Sequence, residues 1–143
     1  MDLRALTCAL FGILSLSGEP GPRTLPLPEY QSKARMIHAL LAFVTWPSQK
    51  GSSKTLGILG SSSFGDHMAS LERSAHSSSI KTIQSYSLKS LEACDAIFIC
   101  TSEEERLSGI LRSLQGRPVL TLSDTPGFAQ RGVMVNMVLW GDR

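Results

Sequence analysis

The residues of this chain whose types and spacing could do chemistry stand where apolar runs stop: Gly60-Ser61-Ser62-Ser63, Thr101-Ser102 and Ser123-Asp124. Each group follows a run typical of a buried strand, namely Thr55 to Leu59, Ala96 to Cys100 and Val119 to Leu122. In an open α/β sheet, ligands bind beyond the carboxyl ends of the strands. Ser61, Ser63, Thr101, Ser102, Ser123 and Asp124 therefore form a candidate pocket for a small polar ligand. Helix starts after Asp66 and Ser102 would favour an anion there. The competing reading is that these residue types simply cap helices and shape turns.

Other chemistries fail on spacing. The stretch from Gly60 to Asp66 lacks the Gly-Lys-Ser/Thr ending and the Gly-x-Gly-x-x-Gly pattern of phosphate loops. No Gly-x-Ser-x-Gly nucleophile elbow occurs, and no spacing selects a Ser-His-Asp set. His38, His67 and His76 have no His-x-x-x-His or Cys-x-x-Cys partner, so no metal site is expected. Glu103, Glu104 and Glu105 open a helix, where the macrodipole accounts for them. Neither a catalytic residue nor a cofactor is expected.

The elements that would hold these groups are written in the periodicity. Tyr30, Ala34, Ile37, Leu41 and Val44 recur at steps of four and three, one stripe of an amphipathic helix that Trp46-Pro47 ends. His38 borders that stripe and is expected to be a partly buried neighbour with one hydrogen bond. Phe43 and Trp46 are expected to pack in the core. A fifth strand candidate, Val133 to Trp140, joins the three above and Ile80 to Tyr86. Asp66 can cap a short helix reaching Arg73. A second helix starts at Ser102, where Ser102 and Glu105 have capping-box spacing, buries Leu107, Ile110, Leu111 and Leu114, and ends at Gly116.

The fold class that follows is α/β: a single-domain sandwich around a mostly parallel, mixed sheet of about five strands, with the N-terminal amphipathic helix packed on it. The ten residues from Ser123 to Gly132 are marginal for a helical crossover. This predicts an antiparallel last strand. The Ser-rich patches Ser61 to Ser63 and Ser77 to Ser79 read as loops.

Charge and composition narrow the classes further. A formal charge of +2, with fourteen basic residues scattered along the chain, gives no stripe suited to nucleic acid. The apolar run Ala5 to Leu16, with small residues from Ser15 to Gly18, reads as a secretory signal over residues 1–17. At about twelve residues it is too short for a stable membrane span, which takes roughly twenty. A Pro- and Gly-rich linker, 18–27, would lead to a domain over 28–143. If Cys94 leads into the strand that holds Cys100, their Cα atoms stand up to ~20 Å apart, against about 4.4 to 6.8 Å for a disulfide. Buried free thiols are the expectation, unless a bend or a second chain intervenes.

Glu29-Tyr30-Gln31 with Lys33-Ala34, then Phe43-Val44 and Trp46-Pro47, resembles the first-helix signature of the YfiR family of bacterial periplasmic proteins. The resemblance continues in order through Gly57-Ile58-Leu59-Gly60 with Phe64-Gly65-Asp66, and through Cys94 to Ile99. It goes on through Arg117-Pro118-Val119-Leu120-Thr121, Ser123-Asp124, Pro126-Gly127-Phe128-Ala129, Gly132 and Met134. It implies an exported, non-catalytic α/β domain that binds the periplasmic part of a membrane diguanylate cyclase, or of a sensor kinase, and represses it. The consequence would be lower cyclic di-GMP and less biofilm. Homodimerisation stays open, and the alternative function is a periplasmic binding protein for an anion or small metabolite. Family members continue into another strand and an amphipathic C-terminal helix, whereas this sequence stops at Gly141-Asp142-Arg143 and is expected to be a C-terminally shortened member. The family's intrachain disulfides have no full set of cysteines here.

Overall fold

A computed structural model of the chain describes residues 28–47, 53–74 and 80–138. The expected signal, the linker, the serines from Ser77 to Ser79 and the stretch after Val138 lie outside the described residues. Five strands form one sheet: β1 Lys54–Leu59, β2 Ile80–Ser85, β3 Ala96–Ile99, β4 Leu120–Ser123 and β5 Val135–Asn136, in the order β2-β1-β3-β4-β5. Three helices accompany them, α1 Glu29–Phe43, α2 His67–Ser74 and α3 Leu107–Leu114. Short 3-10 turns cover Leu88–Leu91, Thr101–Arg106 and Ala129–Arg131.

A parallel strand–crossover–strand unit is almost always right-handed. With one hand throughout, a connection stepping one way along the sheet packs on one face, and a connection stepping the other way packs on the opposite face. The core obeys this. Between β1 and β2, α2 places Met68 on the face of Leu56, Ile58, Phe98 and Leu122. The later connections run the other way and put Leu91, Leu107 and Phe128 on the face of Leu59, Ile97 and Ile99. Both faces are thus covered, which explains why β1 and β3 read as continuous apolar runs. The stretch of the first face that α2 leaves bare is closed by α1, whose Ala34, Ile37 and Leu41 join that cluster. Phe64, Phe98 and Phe128 are fully buried, each contributing roughly 1.5 to 3 kcal/mol of apolar transfer.

All neighbouring strands are parallel, β5 included, which overturns the antiparallel expectation for the last strand. Leu122 pairs with Val135 and Ser123 with Asn136. β5 begins later than its apolar run, so the crossover gains length and spans residues 124–134. A 3-10 turn, rising about 2.0 Å per residue, takes the place of a helix there. Gly132, at φ 114°, closes that turn in a conformation L side chains rarely adopt. Phe128 fastens the crossover to the sheet.

Three smaller expectations also change. Phe43 is 86% exposed, because it lies two residues beyond Leu41 and so about 200° around the helix from the buried stripe. Trp46 is buried as expected, its Nε1 donating to the Asp95 carbonyl at 2.9 Å. The helix expected from Ser102 begins instead as the 3-10 turn Thr101–Arg106 and becomes α-helical only at Leu107, with no side-chain cap. The Ser102 hydroxyl is committed elsewhere: it accepts the N–H of Ser61 at 2.9 Å, tying the loop after β1 to the loop after β3. β5 is only two residues long among the described residues.

Gly60 sits at that tie with φ 100°, and a Cβ there would collide with Ser102 Oγ. Gly60→Ala is therefore expected to lower stability by about 2 kcal/mol or more, measured by denaturant unfolding, as the strained backbone and the collision add.

Candidate functional site

The strand order reverses direction between β1 and β3, and at such a switch point the loops beyond the carboxyl ends separate and leave a crevice. The molecule has one there: a cavity of about 100 Å³ lined by Ser61, Ser63, Phe64, Phe98, Cys100, Thr101, Asp124 and Tyr30. A wider hollow of about 420 Å³, lined by Leu88, Glu105, Arg106, Gly109, Ile110 and Ser113, lies on the α3 side. It contains no buried polar side chain.

Four of the six residues singled out from the sequence meet in the crevice: Ser61, Ser63, Thr101 and Asp124. Ser102 stands beside it and holds the two loops together. Ser123 does not reach it. Its side chain, in a residue 0% exposed, turns into the sheet, donating to the Ile99 carbonyl at 2.7 Å and accepting the Thr125 N–H at 3.2 Å. Thr101 and Thr125 share a hydroxyl–hydroxyl hydrogen bond of 2.7 Å, and Asn136 Nδ2 donates to the Thr125 carbonyl at 2.9 Å. The β4–β5 loop is thereby braced against the end of β3.

The residue that sequence reasoning missed is Lys33. It is 4% exposed on the inner side of α1, donating to Asp124 Oδ2 at 2.7 Å and to Glu29. Its Nζ lies 4.7 Å from the centre of the Tyr30 ring. Burial alone would lower the Lys33 pKa, but the hydrogen bonds and charges of Asp124 and Glu29 outweigh it and hold the ammonium above its ordinary value. A lysine on the apolar stripe of a helix, one position from Ala34, was the signal to read. Tyr30 stacks edge-on to Phe64 with centroids 5.4 Å apart, and Phe64 does the same to Phe98 at 4.9 Å. α1 thus walls the crevice with its first turn.

Both described cysteines are free and buried on opposite faces of the sheet, Cys100 with the α1 cluster and Cys94 with the α3 cluster. Burial, then Asp124 and Glu103, push the Cys100 thiol up to about 12; burial and Asp95 raise that of Cys94. Neither is a thiolate nucleophile at neutral pH. Among the described residues no group of three or more His, Cys, Asp or Glu could hold a metal ion. His76 lies outside the described residues. His38 is partly buried as expected, and its Nε2 has no hydrogen-bond partner among the described residues. The nearby carboxylate of Glu72 is engaged instead by the Thr82 N–H at 2.8 Å.

Two stability effects follow. Removing the acceptor in Asp124→Ala should cost about 2 to 3 kcal/mol, the worth of a hydrogen bond to a charged group, with Asp124→Asn milder, both read by urea unfolding. Burial lowers the His38 pKa below 6.5 against a weaker opposing pull from Glu72. The unfolded chain therefore takes up that proton first, and stability falls as pH drops through 6.5 toward the folded value. Unfolding midpoints at pH about 7.5 and about 5.5 should drop less in His38→Gln than in the parent.

A family model described as YfiR/HmsC-like matches residues 30–143. No curated protein matches the chain.

Proposed function

We propose that this chain, which belongs to the YfiR/HmsC-like family, is an exported regulatory protein that binds and represses a membrane-bound signalling enzyme of the diguanylate cyclase type. The observation that carries the reading is the extent of the family match: it begins in α1 and runs across the whole described sheet and both of its covered faces. The family's members are periplasmic regulators of diguanylate cyclases and are regulatory rather than catalytic. Export is supported by the signal-like residues 1–17 and the linker-like residues 18–27 ahead of a domain over 28–143. Among the described residues, no helix is long and apolar enough to cross a membrane.

A regulator of this kind works through a surface, and the outer side of α1 is suited to it. Met36 and Phe43 are 52% and 86% exposed there, one helical face apart from the buried stripe, with exposed Ala39 between them. Large exposed aromatic side chains are the usual anchors of protein interfaces. The occupant this reading assigns to the face is the periplasmic part of the membrane enzyme, a cyclase or a sensor kinase.

Deleting the gene should raise cyclic di-GMP and biofilm in the host, and in-cell crosslinking should recover a membrane protein with a cyclase or kinase domain. Phe43→Asp should weaken that association roughly tenfold, a loss of about 1.4 kcal/mol. Because Phe43 is exposed, thermal stability should stay unchanged. Unaltered cyclic di-GMP with no membrane protein captured would refute the reading.

A further inference from the structure

From the groups that meet at the β1/β3 switch point, we infer that the crevice binds the ammonium end of a small alkylamine or amino alcohol. The inference stands apart from the membrane partner and reverses the anion preference that the sequence suggested. The reversal comes from Lys33. The Lys33 ammonium, bonded to the crevice residue Asp124, is also engaged by Glu29 and lies over the Tyr30 ring. It leaves no uncompensated positive charge for an anion.

The crevice offers a cation what it withholds from an anion. Only Oδ2 of Asp124 is bonded to Lys33, and Oδ1 makes no hydrogen bond among the described residues. The Ser63 hydroxyl, which also lines the cavity, is likewise able to accept. Tyr30, Phe64 and Phe98 supply aromatic wall, whose ring quadrupoles attract ammonium groups. Asp124 and Glu103 both place negative charge near Cys100, which lines the same crevice; burial, then these charges, raise its pKa.

Size selects within the class. A volume of about 100 Å³ is about three waters' share of the liquid. It takes methylammonium or ethanolamine with an N–H directed at Asp124. Tetramethylammonium has no N–H to give and would gain only the aromatic contact.

Titrating the full-length protein with methylammonium, ethanolamine, tetramethylammonium and acetate, followed by amide chemical shifts and calorimetry, tests this. Saturable shifts at Ser61, Gly65 and Thr101 are expected with the first two and none with acetate. Asp124→Asn, which keeps a hydrogen-bond acceptor for Lys33, should weaken amine binding about tenfold or more. Ser63→Val, on an exposed loop position, should do the same while leaving the unfolding midpoint in place. Saturable binding of acetate, no saturable response to either amine, or amine binding indifferent to both substitutions would overturn the inference.

Discussion

The handedness of the crossovers governs this molecule. Because every parallel connection turns the same way, the change of direction after β2 sends later connections to the opposite face from α2. Two consequences follow at once: both faces need apolar cover, and the chain leaves the carboxyl ends of β1 and β3 toward opposite faces, with Ser102 tying the two loops at Ser61. The first explains the two separate clusters around Phe98 and around Ile97. The second explains why the polar groups scattered at strand ends share one small crevice.

α1 completes what the crossovers leave open, and its placement is fixed at both ends. At its carboxyl end the chain leads into buried Trp46, bonded to the carbonyl of Asp95, whose own carboxylate accepts the Thr55 N–H at 2.7 Å. At its amino end the Lys33–Asp124 pair ties the first turn to the end of β4. Taking both charges out of water offsets most of their attraction, so such a pair specifies register more than it adds stability. An α1 shifted by one residue would leave the ammonium in an apolar interior and Asp124 without its cation.

Much of the architecture was legible because it rests on local signals. The five strands, the stripe from Tyr30 to Val44 and the end of α3 near Gly116 are visible as apolar period, turn residues and breakers. The direction of β5 was not. Loop length is a weak guide when a 3-10 turn and one left-handed glycine can span the sheet, and pairing is decided by where Leu122 meets Val135. Ser102 misled in the same way: its spacing to Glu105 fits a cap, yet the hydroxyl serves a backbone N–H forty-one positions away. Phe43 needed only the helix angle to be seen as exposed.

By itself, then, the sequence determined the α/β class but not the all-parallel sheet, together with the approximate strand positions, the family resemblance and the edge of the sheet on which polar groups gather, since each depends on residue type and near-neighbour spacing. Tertiary structure alone decided which of those groups face one another. Ser123 went into the sheet and Lys33 came to Asp124 across ninety-one positions, joining two segments that share no local pattern. Charge balance at the crevice is a property of that meeting: without Lys33 and its carboxylates in place, helix starts argued for an anion, and with them Asp124 still has an oxygen free to accept. Short-range chemistry is encoded in neighbours along the chain, but electrostatics are summed over neighbours in space.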